Sequence, residues 1–436
     1  MKMEEKYKLS RYNVFYQDGD VQYVWNTYSD ALLKLEKSGQ EYIQSFRGTD
    51  DKSYEFDMLK SNGFIVYEQI DEFGRICLQE KQALFTSNPE DLLFVIAPSL
   101  ECNFRCNYCF QKTAEKSGVM TPETAEKVAE YICCQLENNP NIKKLHIKWF
   151  GGEPLLHVNI IENISRKVID YTQKNEIKFG ASLITNGRFL DSKTLTLLRE
   201  CYVEMAQITV DGTRDSFCKS KGALSEDFDC VINNICNAAE KIRISVRLNI
   251  PDNDANEAIS ITDFLFSHCK LFAKNIVYFA YICDYSASEE VLQQAYIKYV
   301  QNYFKWLKHI IEHYDINKIK TKIQNRKSRS TSCGLIKSHN VCIGPHGELY
   351  KCEHSFGDDS MIIGNVWQGR FFNDAEMAYY TTIDNPLKSK CFQCKYIPIC
   401  LGECPNDRIN GFVKIDCDAY QQLFFKVKLL EGGVRI

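Results

Sequence analysis

The chain has 436 residues, of which 44% are hydrophobic and 25% charged, and a formal net charge of −4. At about 150 residues per domain this predicts two to four domains, each with a sizeable core. The charge balance gives no reason to expect nucleic acid or a membrane surface as partner, and no apolar run approaches the roughly 18 residues of a spanning helix. The opening MKMEEKYKLS is charged with no apolar stretch behind it, so no signal peptide is read and the cytoplasm is the expected compartment.

Residues 1–85 read as a small α+β module. YNVFYQ and VQYVWNT flank Asp18-Gly19-Asp20, a hairpin signal. Helical patterns follow at SDALLKLEKSGQEYIQSF, with Ser29 as its N-cap, and at SYEFDMLKSNGFIV.

From residue 91 to 315 the rhythm is strand then helix. LLFVIAP, KKLHIKWF, ASLIT, MAQITV, ISVRLNI and NIVYFAY supply six strands. TPETAEKVAEYICCQLENN is a helix capped by Thr121 with Pro122 at its first position, Asp191 starts another, and a long helix runs over 286–314. Six such repeats predict an α/β fold with parallel strands and crossover helices, a doubly wound sheet or an incomplete barrel. Chemistry in such folds sits at the carboxyl ends of the strands.

KTKIQNRKSRSTS (320–332) is basic and poor in apolar residues, and reads as a loop or hinge. Over 320–436 helical periodicity fades and cysteine density rises, the composition of a small domain organised by metal. Of the 20 cysteines, Cys133, Cys134, Cys201, Cys230, Cys236, Cys269 and Cys283 lie in apolar patterns without a spaced partner and read as small core residues. A large disulfide framework is not expected in a reducing compartment. Eleven of the others cluster in 102–109 and 333–417.

Just after the first strand, ECNFRCNYCF places Cys102, Cys106 and Cys109 where an active site belongs. Three thiolates can hold three irons of a four-iron cube and leave the fourth without a protein ligand. A zinc site completed by histidine or water is the alternative. The Cys-x3-Cys-x2-Cys spacing resembles the signature of the radical S-adenosylmethionine (SAM) superfamily, whose fold is a partial (β/α)6 TIM-like barrel. In that family SAM chelates the open iron, and its reductive cleavage yields a 5′-deoxyadenosyl radical that abstracts hydrogen from substrate. The resemblance extends to Tyr108, near the adenine in relatives, and to Gly151-Gly152-Glu153-Pro154, which looks like the GGEP motif. There paired glycines allow close approach and Glu153 would receive the SAM ammonium; an ordinary turn is the alternative. Ser182 through Asn186-Gly187 resembles the segment contacting the SAM carboxylate and ribose, and Asp211-Gly212 follows the fourth strand as in the family. Arg247 would pair with the SAM carboxylate, or form a surface ion pair.

The C-terminal cysteines, Cys333, Cys352, Cys391, Cys394, Cys400, Cys404 and Cys417, with four residues between Gly347 and Cys352, are similar to the seven-cysteine pattern of the SPASM domain. Seven exceed one tetrahedral site, so two centres are expected; a pair of zinc ribbons is the alternative. By the resemblance, Cys333, Cys352 and Cys404 bind one auxiliary cluster, and Cys391, Cys394, Cys400 and Cys417 a second, making three 4Fe-4S clusters in all. Cys342, on the first arm of a hairpin turning at Gly344-Pro345-His346-Gly347, is either the fourth ligand of the first auxiliary cluster or a strand-packed thiol. Glu353 stands where sulfatase-maturing relatives carry an aspartate base; it is a candidate base or a solvated carboxylate.

The resemblance implies a maturase of ribosomally made peptides that forms a thioether, or next a carbon–carbon cross-link. Its partners would be a precursor peptide with a leader and a flavodoxin- or ferredoxin-type reductant. The N-terminal module resembles a PqqD-like, winged-helix leader-recognition element, which captures peptide at a sheet edge; a structural cap over the barrel is the alternative. Anaerobic sulfatase maturation (Cys or Ser to formylglycine) is the competing activity, and a non-catalytic electron carrier or peptide scaffold the competing class.

Overall fold

The computed structural model describes residues 5–113, 118–269, 271, 275–282, 287–314, 320–321, 329–381, 390–402, 404–409, 417, 425–426 and 428. Cys283 and most of the expected hinge at 320–332 lie outside them.

The N-terminal module contains β1 (Tyr7–Leu9), β2 (Asn13–Asp18), β3 (Val21–Asn26), β4 (Leu32–Leu35), α1 (Lys37–Ser45), α2 (Tyr54–Ser61), β5 (Ile65–Tyr67) and α3 (Glu72–Leu84). The expected hairpin is β2–β3, paired Asp18 to Val21 with Gly19 at φ 58°. The helix expected from Ser29 begins only at Lys37. LLKL is instead the strand β4, because Leu32, Leu33 and Leu35 are buried on both faces of the three-stranded sheet β2-β3-β4. One face, with Val24, Leu33 and Leu35, covers Phe56 and Leu59 of α2. The other, with Val14, Trp25 and Leu32, packs on the cysteine-rich C-terminal segment: the Trp25 and Tyr396 rings lie 5.9 Å apart. Arg11 sits 5.2 Å from the Phe392 ring centre, and Ile76 joins Ile397 and Leu401.

The strand–helix repeats follow as β6 (Asp91–Ile96), α4 (Pro122–Glu137), β7 (Lys144–Trp149), α5 (Val158–Lys174), β8 (Lys178–Thr185), α6 (Ser192–Glu200), β9 (Val203–Val210), α7 (Arg214–Lys221), α8 (Ser225–Ala239), β10 (Arg243–Asn249), α9 (Ala255–Cys269), β11 (Ile276–Ala280), α10 (Glu289–His313) and β12 (Lys320–Thr321). All six expected strands are present, and β6 to β11 pair in parallel in chain order. Thr121 and Asp191 cap α4 and α6 by accepting from the backbone N–H three residues on. The fold is therefore α/β, a TIM-like partial barrel whose sheet stays open.

Strand periodicity sorts the side chains. Ile147, Trp149, Ala181, Leu183, Ile208, Val210, Val246 and Leu248 point outward into the helix-covered core. The alternate residues, including Lys148, Gln207, Thr209, Arg247 and Asn249, face inward. A polar lumen inside an apolar shell results, and it positions the site.

The C-terminal segment adds β13 (Val341–Ile343), β14 (Glu348–Tyr350), β15 (Gly364–Asn365), β16 (Gly369–Arg370), α11 (Asp374–Thr381), α12 (Ile397–Cys400) and α13 (Pro405–Ile409). The expected hairpin is β13–β14, with Gly347 at φ 79°. One feature was not expected: β13 pairs in parallel with β6, so an 11-stranded sheet runs β12-β11-β10-β9-β8-β7-β6-β13-β14-β15-β16.

Several cysteine expectations are corrected. Cys236 on α8 and Cys269 at the end of α9 form a disulfide, because the two helices pack side by side with a Cα–Cα separation of 4.4 Å. Cys134 is exposed, and Cys133 and Cys230 are half-buried on helix flanks; Cys201 is buried as expected.

Candidate functional site

A cavity of about 950 Å³ opens at the carboxyl ends of the barrel strands. Its rim includes Cys102, Cys106, Cys109 and Tyr108 from the loop after β6, and Glu353 and His354 from the turn after Cys352. Phe110 of the loop stacks on His354 at 4.1 Å, joining the two sides.

The cysteine loop is braced from below by the residues after β7. Gly152 N–H donates to Ser99 O (3.1 Å) and Glu153 N–H to Glu101 O (2.7 Å). A Cβ on Gly152 would stand 2.2 Å from Glu101 O, and one on Gly151, at φ 126°, 2.2 Å from Ser99 O. The close approach that the glycine pair permits is thus made by the loop's own backbone.

Glu153 is fully buried. Its Oε1 accepts from Leu155 N–H (3.0 Å) and Thr185 Oγ1 (2.7 Å), and its Oε2 from Asn186 N–H (2.7 Å). Burial pushes its pKa up, against these donors. The carboxylate therefore pins the end of β8, and only Oε2 retains an acceptor position. Asn186, held this way, donates to Asn103 Oδ1 at 2.8 Å and reaches Cys102 Sγ at 3.8 Å. Ser182 is not brought to the cavity. It lies two residues below Ile184 on the inward face, and its hydroxyl pairs with His146 Nε2 at 2.8 Å. At about 3.3 Å per residue that places it well beneath the rim.

On the far wall Tyr108 donates to Asp211 Oδ1 (3.0 Å), and the same oxygen takes the Lys221 ammonium at 3.2 Å. Burial pushes Asp211 and the Tyr108 phenol up; burial would push Lys221 down, but Asp211 holds it above its ordinary value. Arg247 points into the lumen, its Nε donating to Asn249 Oδ1 at 2.9 Å, and both residues line the cavity. Lys148 and Glu353 form an ion pair on the near wall, so Glu353 is not a solvated carboxylate.

Burial pushes the Cys102 thiol up to about 11 and Cys106 up as well. A thiolate-binding metal must displace these protons, so loading is favoured by rising pH. Among the described residues no three His, Cys, Asp or Glu side chains surround one ion-sized point. A cube asks for something else, one thiolate for each of three separate irons, and three half-buried cysteines on one loop beside an open cavity fit that demand.

Farther along, Cys342 is fully buried on β13 with Val95, Phe150 and Tyr350, and burial raises its pKa well above the ordinary value. Cys333, Cys342, Cys352 and Cys404 lie in one neighbourhood: Cys352 feels Cys404 and Cys333, and Cys342 feels Cys352. Cys394 and Cys391 are tied by a backbone hydrogen bond of 3.0 Å, and Cys394 Sγ accepts from Tyr396 N–H at 3.4 Å. Cys400 ends α12, and Cys417 is exposed.

Sequence reasoning missed Lys148, Lys221, Gln207, Thr209 and Asn249. The alternation in MAQITV and VRLN was a usable signal for the last three, whereas neither lysine carried one.

Residues 96–265 match the family model of the radical SAM superfamily. The radical SAM cyclopropyl synthase TigE of Paramaledivibacter caminithermalis is 31% identical over 157 residues, 32% of this chain and 31% of that protein, so the match spans under a third of the relative. A cysteine-type anaerobic sulfatase-maturating enzyme of Clostridium perfringens is 20% identical over 373 residues, 76% of this chain and 95% of that one. The structure of native anSMEcpe with bound AdoMet superposes with a TM-score of 0.60 and 19% identity, over 79% of this chain and 100% of that chain, and shares the fold. The match and the shared barrel agree on one conclusion: the chain carries a radical SAM domain over residues 96–265.

Proposed function

We propose that the chain is a radical SAM enzyme that oxidatively modifies a cysteine-containing ribosomal peptide, forming a thioether or, next, a carbon–carbon cross-link. The observation that carries this reading is the shared cavity, about 950 Å³, bounded by the three-cysteine loop on one side and the Cys352 turn on the other. It offers room for SAM and a substrate residue together.

Cys102, Cys106 and Cys109 would hold the SAM-binding cluster. Tyr108, the Gly151-Gly152 backbone, Glu153, Asn186 and Arg247 would seat SAM, with the Arg247 fork on its carboxylate. When bound, cluster and SAM supply a carbon-centred radical. Cys333, Cys342, Cys352 and Cys404 would hold one auxiliary cluster, and Cys391, Cys394, Cys400 and Cys417 the other. Forming the thioether would remove one hydrogen atom from a substrate carbon, to the deoxyadenosyl group, and one proton from the substrate thiol, for which Glu353 would be the acceptor. An auxiliary centre held by the C-terminal cysteines would supply an acceptor for the remaining electron, and an external flavodoxin- or ferredoxin-type reductant would supply the electron that starts each turnover. The N-terminal module would present an edge of its sheet, β2 or β4, to a leader peptide.

Sulfatase maturation is the second reading, favoured by the long match to the C. perfringens enzyme. The N-terminal module, and Glu rather than Asp at position 353, favour the first. Anaerobic incubation with SAM and dithionite should yield 5′-deoxyadenosine; intact SAM with fully loaded protein would reject the enzyme. With a cysteine peptide, mass spectrometry separates the readings: a cross-link removes two hydrogens and keeps the sulfur, whereas formylglycine loses two hydrogens and also exchanges sulfur for oxygen.

A further inference from the structure

Lys221 is the last residue of α7, is 2% exposed, and nevertheless lines the cavity. Both neighbours of Cys106 are tied to this helix end: Arg105 N–H donates to Lys221 O at 2.8 Å and Asn107 N–H to Ser220 O at 2.9 Å. The ammonium is held by Asp211 Oδ1 at 3.2 Å and lies 5.4 Å from the Phe217 ring centre. Tyr108, two residues from Cys106, is fastened to the same Asp211 oxygen. A buried ion pair is a weak source of stability, so its position against a cluster ligand is the informative feature.

We propose that the Lys221 ammonium, anchored by Asp211, is the built-in counter-charge for the iron–sulfur centre held by Cys102, Cys106 and Cys109, and sets how readily that centre accepts an electron. The inference rests on the radical SAM reading. Reduction adds one negative charge to the centre, and the attraction of a fixed cation for that charge is far stronger across a water-poor site than it would be through bulk water. Lys221 and Cys106 line the same cavity, and the Lys221 ammonium and the Tyr108 hydroxyl meet on one Asp211 oxygen, two residues along the loop from Cys106. Lys221 is thus a positioning and tuning residue; it need not touch substrate.

The test is a redox titration of anaerobically reconstituted full-length protein without SAM, followed by electron paramagnetic resonance. Wild-type protein must first show bound iron and sulfide and a reduced-cluster signal; their absence would reject the radical SAM reading itself. Given that signal, Lys221→Met should lower the equilibrium constant for reduction by about tenfold, a shift of ~59 mV to more negative potential for one electron, while Lys221→Arg stays near wild type. Should Lys221→Met fail to load iron, Asp211→Asn carries the test, because removing the anion and keeping the cation should move the potential upward. An unchanged potential in Lys221→Met, an equal shift in Lys221→Arg, or a downward shift in Asp211→Asn overturns the proposal.

Discussion

Lys148 on β7 and Glu353, the residue after Cys352, form an ion pair that joins the barrel lumen to the cysteine-rich segment. Side-chain exposures of 23% and 19% make it neither a surface pair nor a sealed one. It keeps the carboxylate at the cavity wall, where a substrate proton could be received. Glu353→Gln should lower product formation by on the order of 10²-fold if the carboxylate acts as base, with 5′-deoxyadenosine release retained. Product and 5′-deoxyadenosine measured in the same reaction check this; a parallel fall in both would instead mean a damaged SAM site.

Gly152 has no room for a methyl group, since its Cβ would meet Glu101 O at 2.2 Å and Leu100 O at 2.5 Å. Both atoms are backbone, so Gly152→Ala must displace the loop leading to Cys102. A loss of ~1–3 kcal/mol is expected from the overpacking, with reduced iron per chain after reconstitution. Thermal unfolding and iron analysis would show it; full iron content would mean that the loop relaxes without losing its ligands.

Cys394 belongs to the segment packed against the N-terminal module, where Trp25 meets Tyr396. Cys394→Ala should spare SAM cleavage more than product formation, because it would remove an electron acceptor and leave the radical source intact. Normal peptide modification by this variant would exclude an electron-relay role for the second centre.

His339 is partly buried among Lys337, Lys351 and Arg370, with Asp91 the one opposing charge among its described electrostatic neighbours, and neither ring nitrogen has a hydrogen-bond partner among the described residues. Burial first, then Lys337, pushes its pKa down to about 4. Between that value and the ordinary 6.5 the unfolded chain binds the extra proton, so stability rises with pH across this window and is lost as the pH falls through it. Allowing for partial exposure, the contribution is ~2 kcal/mol. His339→Gln should flatten the pH dependence of denaturant unfolding between pH 6.5 and 4; an unchanged slope would remove His339 as its source.

The strand–helix order was legible because its signals are local. Apolar runs mark β6 to β11, and Thr121, Pro122 and Asp191 punctuate helices by chemistry that acts over three or four residues. LLKL was misread because its leucine spacing suits a helix as well as a strand, and only pairing with β3 decides. The motif over 182–187 directs Ser182 towards the cavity, but two residues of strand rise set it below Ile184, beside His146. The Cys236–Cys269 disulfide joins residues 33 apart on adjacent helices, a contact that spacing alone does not reveal.

By itself the amino-acid order determined the residue types and spacing at Cys102, Cys106 and Cys109 and the six repeats that carry them to a strand's carboxyl end, since each depends on neighbours within one element. Tertiary structure alone decided that β13 joins β6, with Val341 opposite Phe94, that Glu353 thereby meets Lys148, and that Lys221 closes on Asp211 beside Cys106. Those contacts depend on how whole elements pack after long loops close, and no local pattern along the chain encodes them.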